Sequence, residues 1–148
     1  MNGRRNKNRG YQKLRVWGDA IEYYRETCEV FRRFPHELRR AATQAIAASD
    51  SVHRNIAEVY CRRSISEYLH FLYIALGSLG ESVSGLWAYR NAGQITDGQF
   101  ENLDSLAFRL ENGLLKLVQS LEQKRDRGEW TDHLMVEESD LIYDAEDM

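Results

Sequence analysis

Glu67-x-x-His70 has the spacing of a Glu-x-x-His metal-binding element. A carboxylate and an imidazole three residues apart share a helix face, an arrangement that bundle di-iron sites use twice, together with two further carboxylates. The other histidines, His36, His53 and His133, supply no second copy, and Glu67 is already accounted for as a helix cap, so no metal is expected. Neither Cys28 nor Cys61 has neighbours that would lower a thiol pKa or act as a base. Two cysteines without a close-spaced pair read as buried thiols in a reducing compartment. Gly77-Ser78-Leu79-Gly80 lacks the Gly-Lys-Ser/Thr ending of a phosphate-binding loop and falls inside a helical pattern. No catalytic residue and no cofactor is expected, and the chain reads as non-enzymatic.

The elements that hold these residues are legible as four apolar seven-residue repeats. The first is Leu14, Trp17, Ile21, Tyr24, Cys28 and Phe31; the second is Leu38, Ala42, Ala45, Ser49, Val52, Ile56 and Val59. The third is Ile65, Tyr68, Leu72, Ala75, Leu79, Ser82, Leu86 and Tyr89; the last is Leu103, Ala107, Leu110, Leu114, Leu117 and Leu121. Residues three and four apart share one helix face, so each repeat is a stripe that must be buried. Pro35 ends the first helix and suits the first turn of the second. That second helix is expected to run to about Cys61. Ser64-x-x-Glu67 and Thr96-x-x-Gln99 are capping-box patterns opening the third and fourth, and Asn91-Ala92-Gly93 stops the third. Short connections make successive helices antiparallel neighbours. The fold class is all-α, an up-down-up-down four-helix bundle.

A net charge of −3 conceals segregated ends. Residues 1–15 hold six basic and no acidic side chains, whereas residues 129–148 hold eight acidic ones and no Lys or Arg. The chain therefore divides into a basic N-terminal arm (1–12), the bundle (13–128) and an acidic C-terminal tail (129–148). Apolar residues in the tail, Trp130, Leu134, Leu141 and Ile142 among them, suit docking as well as solubility. No apolar run approaches the roughly 20 residues that cross a bilayer, and the basic start lacks the apolar segment of a secretory signal. A cytoplasmic protein is expected.

Antiparallel topology gathers Arg4, Arg5, Lys7, Arg9, Lys13, Arg15, Arg62, Arg63, Lys124, Arg125 and Arg127 at one end of the bundle, 11 of the 20 basic residues. The helix macrodipole accounts for Arg62, Arg63, Lys124 and Arg125 near helix C-termini, but not for the N-terminal six. That pole is a candidate contact for nucleic-acid phosphates, without sequence preference because only Tyr11 interleaves the arm. The acidic tail emerges beside it and would compete for it. Gly77, Gly80, Glu81 and Ser84 lie beside the third stripe, one turn apart. A helical glycine costs up to about 1 kcal/mol against alanine, so Gly77, Gly80 and Gly85 ask for a reason. The alternatives are close packing inside the bundle or a groove for a neighbouring subunit. Asn55 and Glu58 suit either a surface, with Arg62 at i+4 from Glu58, or a polar interface contact.

Several of these residues together resemble the four-helix-bundle proteins named for 23S rRNA intervening sequences. Leu14-Arg15-Val16-Trp17 with Ala20 and Phe34-Pro35 is similar to the family's start. Gln44, Ser51-Val52 and Asn55-Ile56-Ala57-Glu58 resemble its second helix. Arg63-x-Ser-x-x-Tyr68, Phe71-Leu72-x-Ile74-Ala75-x-Gly77-Ser78-x-x-Glu81 and the leucines from Leu114 to Leu121 resemble the rest. The likeness spans residues 13–125. It departs where Val59 replaces a glycine, which lets helix two run on, where Ala47-Ala48 replace an Arg-Ala pair, and where His53 replaces a proline. The resemblance implies a ring, typically a homopentamer, and kinship with accessory proteins that partner reverse transcriptases in diversity-generating retroelements. The expected function is a homo-oligomeric helical adaptor whose partners are itself, a reverse transcriptase, and RNA or DNA, with no membrane contact. The alternative is a purely structural protein–protein interaction bundle.

Overall fold

The structure, a computed structural model, describes residues 10–60, 62 and 64–128, with Lys13 described for its backbone alone. The arm through Arg9 and the tail from residue 129 lie outside the described residues, as do Cys61 and Arg63. Four helices follow in order: α1 (Arg15–Phe31), α2 (Arg39–Val59), α3 (Ile65–Asn91) and α4 (Asp97–Asp126). Single 3-10 turns at Gly10–Lys13 and His36–Leu38 precede α1 and α2. Pro35 keeps an extended backbone ahead of the second of these turns, so it stands outside α2 and not in its first turn.

Local chemistry fixes the ends. The Thr96 hydroxyl accepts from the Gln99 amide at 3.0 Å and the Gln99 side chain accepts from the Thr96 amide at 2.9 Å, a complete capping box. Ser64 caps α3 by accepting from the Glu67 amide at 3.1 Å. Gly93 takes a φ of 72°, and the Gly93 and Gln94 amides donate to the carbonyls of Arg90 and Tyr89, so α3 stops in a left-handed turn. Helix α2 ends at Val59, two residues short of the expected Cys61; Val59 is fully buried and does not carry the helix onward.

Each helix packs against its neighbours in sequence, and α1 closes the cycle against α4. The four stripes meet in the middle, but the first is turned by one residue from the expected row. Val16, Ala20, Tyr23, Thr27 and Phe31 are buried, while Trp17, Ile21, Tyr24 and Cys28 are half-buried. Both rows carry apolar residues at helical spacing, and hydropathy favoured the wrong one because Tyr23 and Thr27 read as polar. Their polar atoms are satisfied inside. Thr27 donates to the Tyr23 carbonyl at 2.7 Å, and the Tyr23 hydroxyl meets the Ser82 hydroxyl of α3 at 2.6 Å. The stripes of α2, α3 and α4 are buried as expected, save for half-buried Leu38 and Tyr89 at their ends.

Burial pushes the Tyr23 phenol up to about 12, against the smaller lowering by the Ser82 hydrogen bond. The neutral phenol is thus favoured on folding, and this contribution is whole below the ordinary value of 10 and lost as pH rises toward 12. Tyr23→Phe should cost about 1–2 kcal/mol at neutral pH by orphaning Ser82. Urea unfolding between pH 10 and 12 should show wild type losing up to about 3 kcal/mol more than this variant. Equal losses would remove Tyr23 as the titrating group.

Candidate functional site

Among the described residues no three His, Cys, Asp or Glu side chains come together as a metal site. Glu67 and His70 are both exposed on α3. Cys28 is half-buried, and Gly77 to Gly80 lie within the third helix. Two ionic clusters emerge instead. Arg109 of α4 reaches Glu22 at 2.8 Å and Asp19 at 3.4 Å, tying α4 to α1. Burial raises the Asp19 carboxyl although Arg109 pulls it down. On α2, burial would raise Asp50, but hydrogen bonds from Arg54 and His53 outweigh it and hold its carboxyl low. The Arg109 cluster joins residues nearly ninety positions apart, which no local spacing announces.

The basic pole is partly neutralised by its own chain. Arg62 donates to Glu58 at 2.9 Å and lies over the Phe71 ring, 4.7 Å from its centroid. Arg125 contacts Asp126 at 3.3 Å. Arg15 and Arg127 are exposed, and Lys124 is half-buried. Arg4, Arg5, Lys7, Arg9 and Arg63 lie outside the described residues, as does the side chain of Lys13. Glu58 is exposed and pairs with Arg62, and the Asn55 amide donates back to the Ser51 carbonyl at 2.8 Å. One feature was missed in the sequence. Tyr11 packs edge-on against Trp17 and Tyr60, with centroids 5.5 and 6.4 Å apart, so aromatic surface does adjoin this pole.

The outer rows are more informative. Tyr73, Gly77, Gly80, Ser84 and Trp87 recur along α3 at helical spacing, and all five are exposed. On α4, Phe108 is 63% exposed and Leu115 44%. A groove of about 130 Å³ between the two helices is lined by Gly80, Val83, Ala107 and Phe108, with Asp104 and Glu111 beside them. A Cβ built on Gly77 or Gly80 would meet no atom within 4 Å, whereas one on Gly85 would lie 3.2 Å from the Tyr89 ring. Close packing within the bundle therefore explains Gly85 alone. Glu81 is exposed beside an opening of about 150 Å³ between α2 and α3.

A second apolar face follows from the turned first stripe. Trp17, Ile21, Tyr24 and Cys28 remain half-buried along the α1–α2 side, where Tyr24 lies 5.7 Å from the His53 ring. A groove of about 460 Å³ there is lined by Tyr11, Trp17, His53, Arg54 and Glu58. Gly18, exposed on α1, also meets no atom that a Cβ would touch. In the cyclic order α1-α2-α3-α4, this face lies opposite the α3–α4 groove. The molecule thus has grooves on two opposite sides, each mixing aromatic and charged side chains, and Gly80 lines the α3–α4 one.

Residues 12–116 match the family model described as 23S rRNA-intervening sequence protein. A solved structure of similar fold is a protein with unknown function from the S23 ribosomal protein family of Bacteroides thetaiotaomicron, with a TM-score of 0.66 and 19% identity. The alignment covers 70% of this chain and 95% of that one. Among curated proteins none matches. At that identity the neighbour bears on the fold alone.

If the open glycines have no duty inside the chain, alanine should improve the helix that carries them. Gly77→Ala and Gly80→Ala should each stabilise α3 by up to about 1 kcal/mol in urea unfolding at the lowest usable protein concentration. A lowered midpoint in both would place their role inside the bundle.

Proposed function

The chain belongs to the 23S rRNA-intervening sequence protein family, and from that premise we propose that it is a non-enzymatic cytoplasmic adaptor that assembles head to tail with its own copies into a ring, a homopentamer. The observation that carries this reading is the pair of grooves on opposite sides, together with exposed Gly77 and Gly80 on α3 that no intrachain contact explains. Two different faces on opposite sides make a heterologous contact, and heterologous contacts close into rings when the rotation per subunit divides a full turn. Asp104 and Glu111 flank the α3–α4 groove, while Arg54, paired with Asp50, and Glu58 line the other. A glycine floor lets a neighbouring helix approach closely, while Tyr73, Trp87 and Phe108 supply the aromatic area that interfaces favour.

Such a ring would offer a platform to a nucleoprotein. A reverse transcriptase with its RNA is the partner implied by the resemblance to retroelement accessory proteins, with the basic arm and pole contacting phosphates. A second reading, a structural bundle without nucleic-acid contact, is favoured by the internal pairing of Arg62 and Arg125. No helix among the described residues is long and apolar enough to cross a membrane.

Light scattering should give wild type a mass that is a multiple of 17.3 kDa, and a monomer at micromolar concentration would overturn the proposal. Phe108→Glu spoils one groove and Ile21→Glu the other, so each variant should be monomeric with its helical circular dichroism retained. Mixed together, they keep one intact face of each kind and should form a dimer. A dimer of either variant alone would mean a symmetric contact and no head-to-tail ring.

A further inference from the structure

The turn from α1 to α2 carries a charge pattern that neither the core nor the grooves explain. Between Phe31 and Ala41 the chain places Arg32, Arg33, Arg39 and Arg40 against Glu37 alone. All four arginines are exposed. Arg32 is held by Glu29 one turn back, and among the described residues no acidic side chain pairs with Arg33, Arg39 or Arg40. This turn lies at the opposite end of the bundle from the N-terminal arm, at the pole shared by the end of α3 and the start of α4.

Helix stability accounts for half of the cluster. Arg32 and Arg33 follow the last turn of α1, where the macrodipole favours cations. Arg39 and Arg40 occupy the first turn of α2, where the same dipole disfavours them. No acidic residue of that turn and no side-chain cap at Leu38 offsets the cost. Two arginines at a helix N-terminus, beside two more across a tight turn, concentrate positive charge around Glu37, the one acidic residue among them. A polyanion would relieve that concentration of charge.

We propose that this arginine-edged turn binds the phosphodiester backbone of a nucleic acid without reading its sequence. Guanidinium groups suit the surface because their planar donors pair with phosphate oxygens two at a time. The acidic tail is a poorer occupant. Its carboxylates alternate with clusters such as Leu134-Met135 and Leu141-Ile142, which would want an apolar bed. The most exposed apolar side chains described, Tyr73, Ile74, Trp87, Phe108 and Leu115, lie on α3 and α4 and none in the turn. An edge with four arginines to one carboxylate matches a regularly charged backbone better than a mixed segment. Each protomer carries the whole surface, so binding needs no ring, although a ring would repeat the edge around one rim.

The test is fluorescence anisotropy of a short labelled RNA with the full chain at several salt concentrations. The variant Arg33→Gln/Arg39→Gln/Arg40→Gln should bind at least about tenfold more weakly at low salt. The slope of log affinity against log salt should fall by about 2, since each single-strand phosphate contact contributes about 0.7. Arg39→Glu/Arg40→Glu should lose binding while its unfolding midpoint holds or rises, because carboxylates suit a helix N-terminus. The masses of both variants in light scattering should equal that of wild type, which separates this site from the assembly proposed above. Absence of RNA binding by wild type would overturn the inference. So would a triple variant within twofold of wild type at unchanged slope. A synthetic peptide of residues 129–148 that binds the turn and resists displacement by RNA would overturn it too, assigning the arginines to carboxylates.

Discussion

Everything in this molecule depends on burying four helical rows against one another in cyclic order. Most of a helix's stability in a protein comes from packing its apolar face and little from propensity, so each row must stay covered. Tyr23 and Ser82 show how tightly the rows are matched. Two hydroxyls from helices that are not neighbours meet at 2.6 Å in an otherwise apolar interior. Each would cost more alone than the pair contributes together, so the contact fixes which turn of α1 faces which turn of α3.

That inward requirement decides what is left outside. Once Val16, Ala20 and Tyr23 are committed to the core, Trp17, Ile21 and Tyr24 have only one side covered. The same logic places Tyr73, Gly77, Gly80, Ser84 and Trp87 outward on α3, because Leu72, Ala75, Leu79 and Leu86 hold the inner row. The outer rows are the surplus of a sequence with more apolar helical positions than one bundle can cover. Their location on opposite sides follows from the antiparallel connections, and it is what gives the protein two unlike faces.

Charge obeys a different logic, because short loops collect helix ends into two poles. At one pole the chain answers its own charges, with Arg62 on Glu58 and Phe71, and Arg125 on Asp126. At the other, Arg90 lies over the Phe100 ring and bonds Asp97, whereas the arginines of the α1–α2 turn are left facing solvent. Exposed pairs of this kind contribute little to stability, so their arrangement bears on partners more than on the fold.

The sequence by itself determined the number of helices, three of the four buried rows, the start at Thr96 and the stop at Gly93, because helical spacing and capping chemistry act over a few residues. It also marked Gly77 and Gly80 as needing a reason, since a glycine's cost in a helix is local. Tertiary structure alone decided which row of α1 is buried, because Tyr23 and Thr27 look polar until Ser82 and the backbone satisfy them. It alone separated Gly85, crowded by Tyr89, from Gly77 and Gly80, which meet nothing. It also joined Arg109 to Asp19 and Glu22 and set Tyr11 against Trp17 and Tyr60. Those contacts link distant stretches, and their energies exist only once the helices have chosen neighbours.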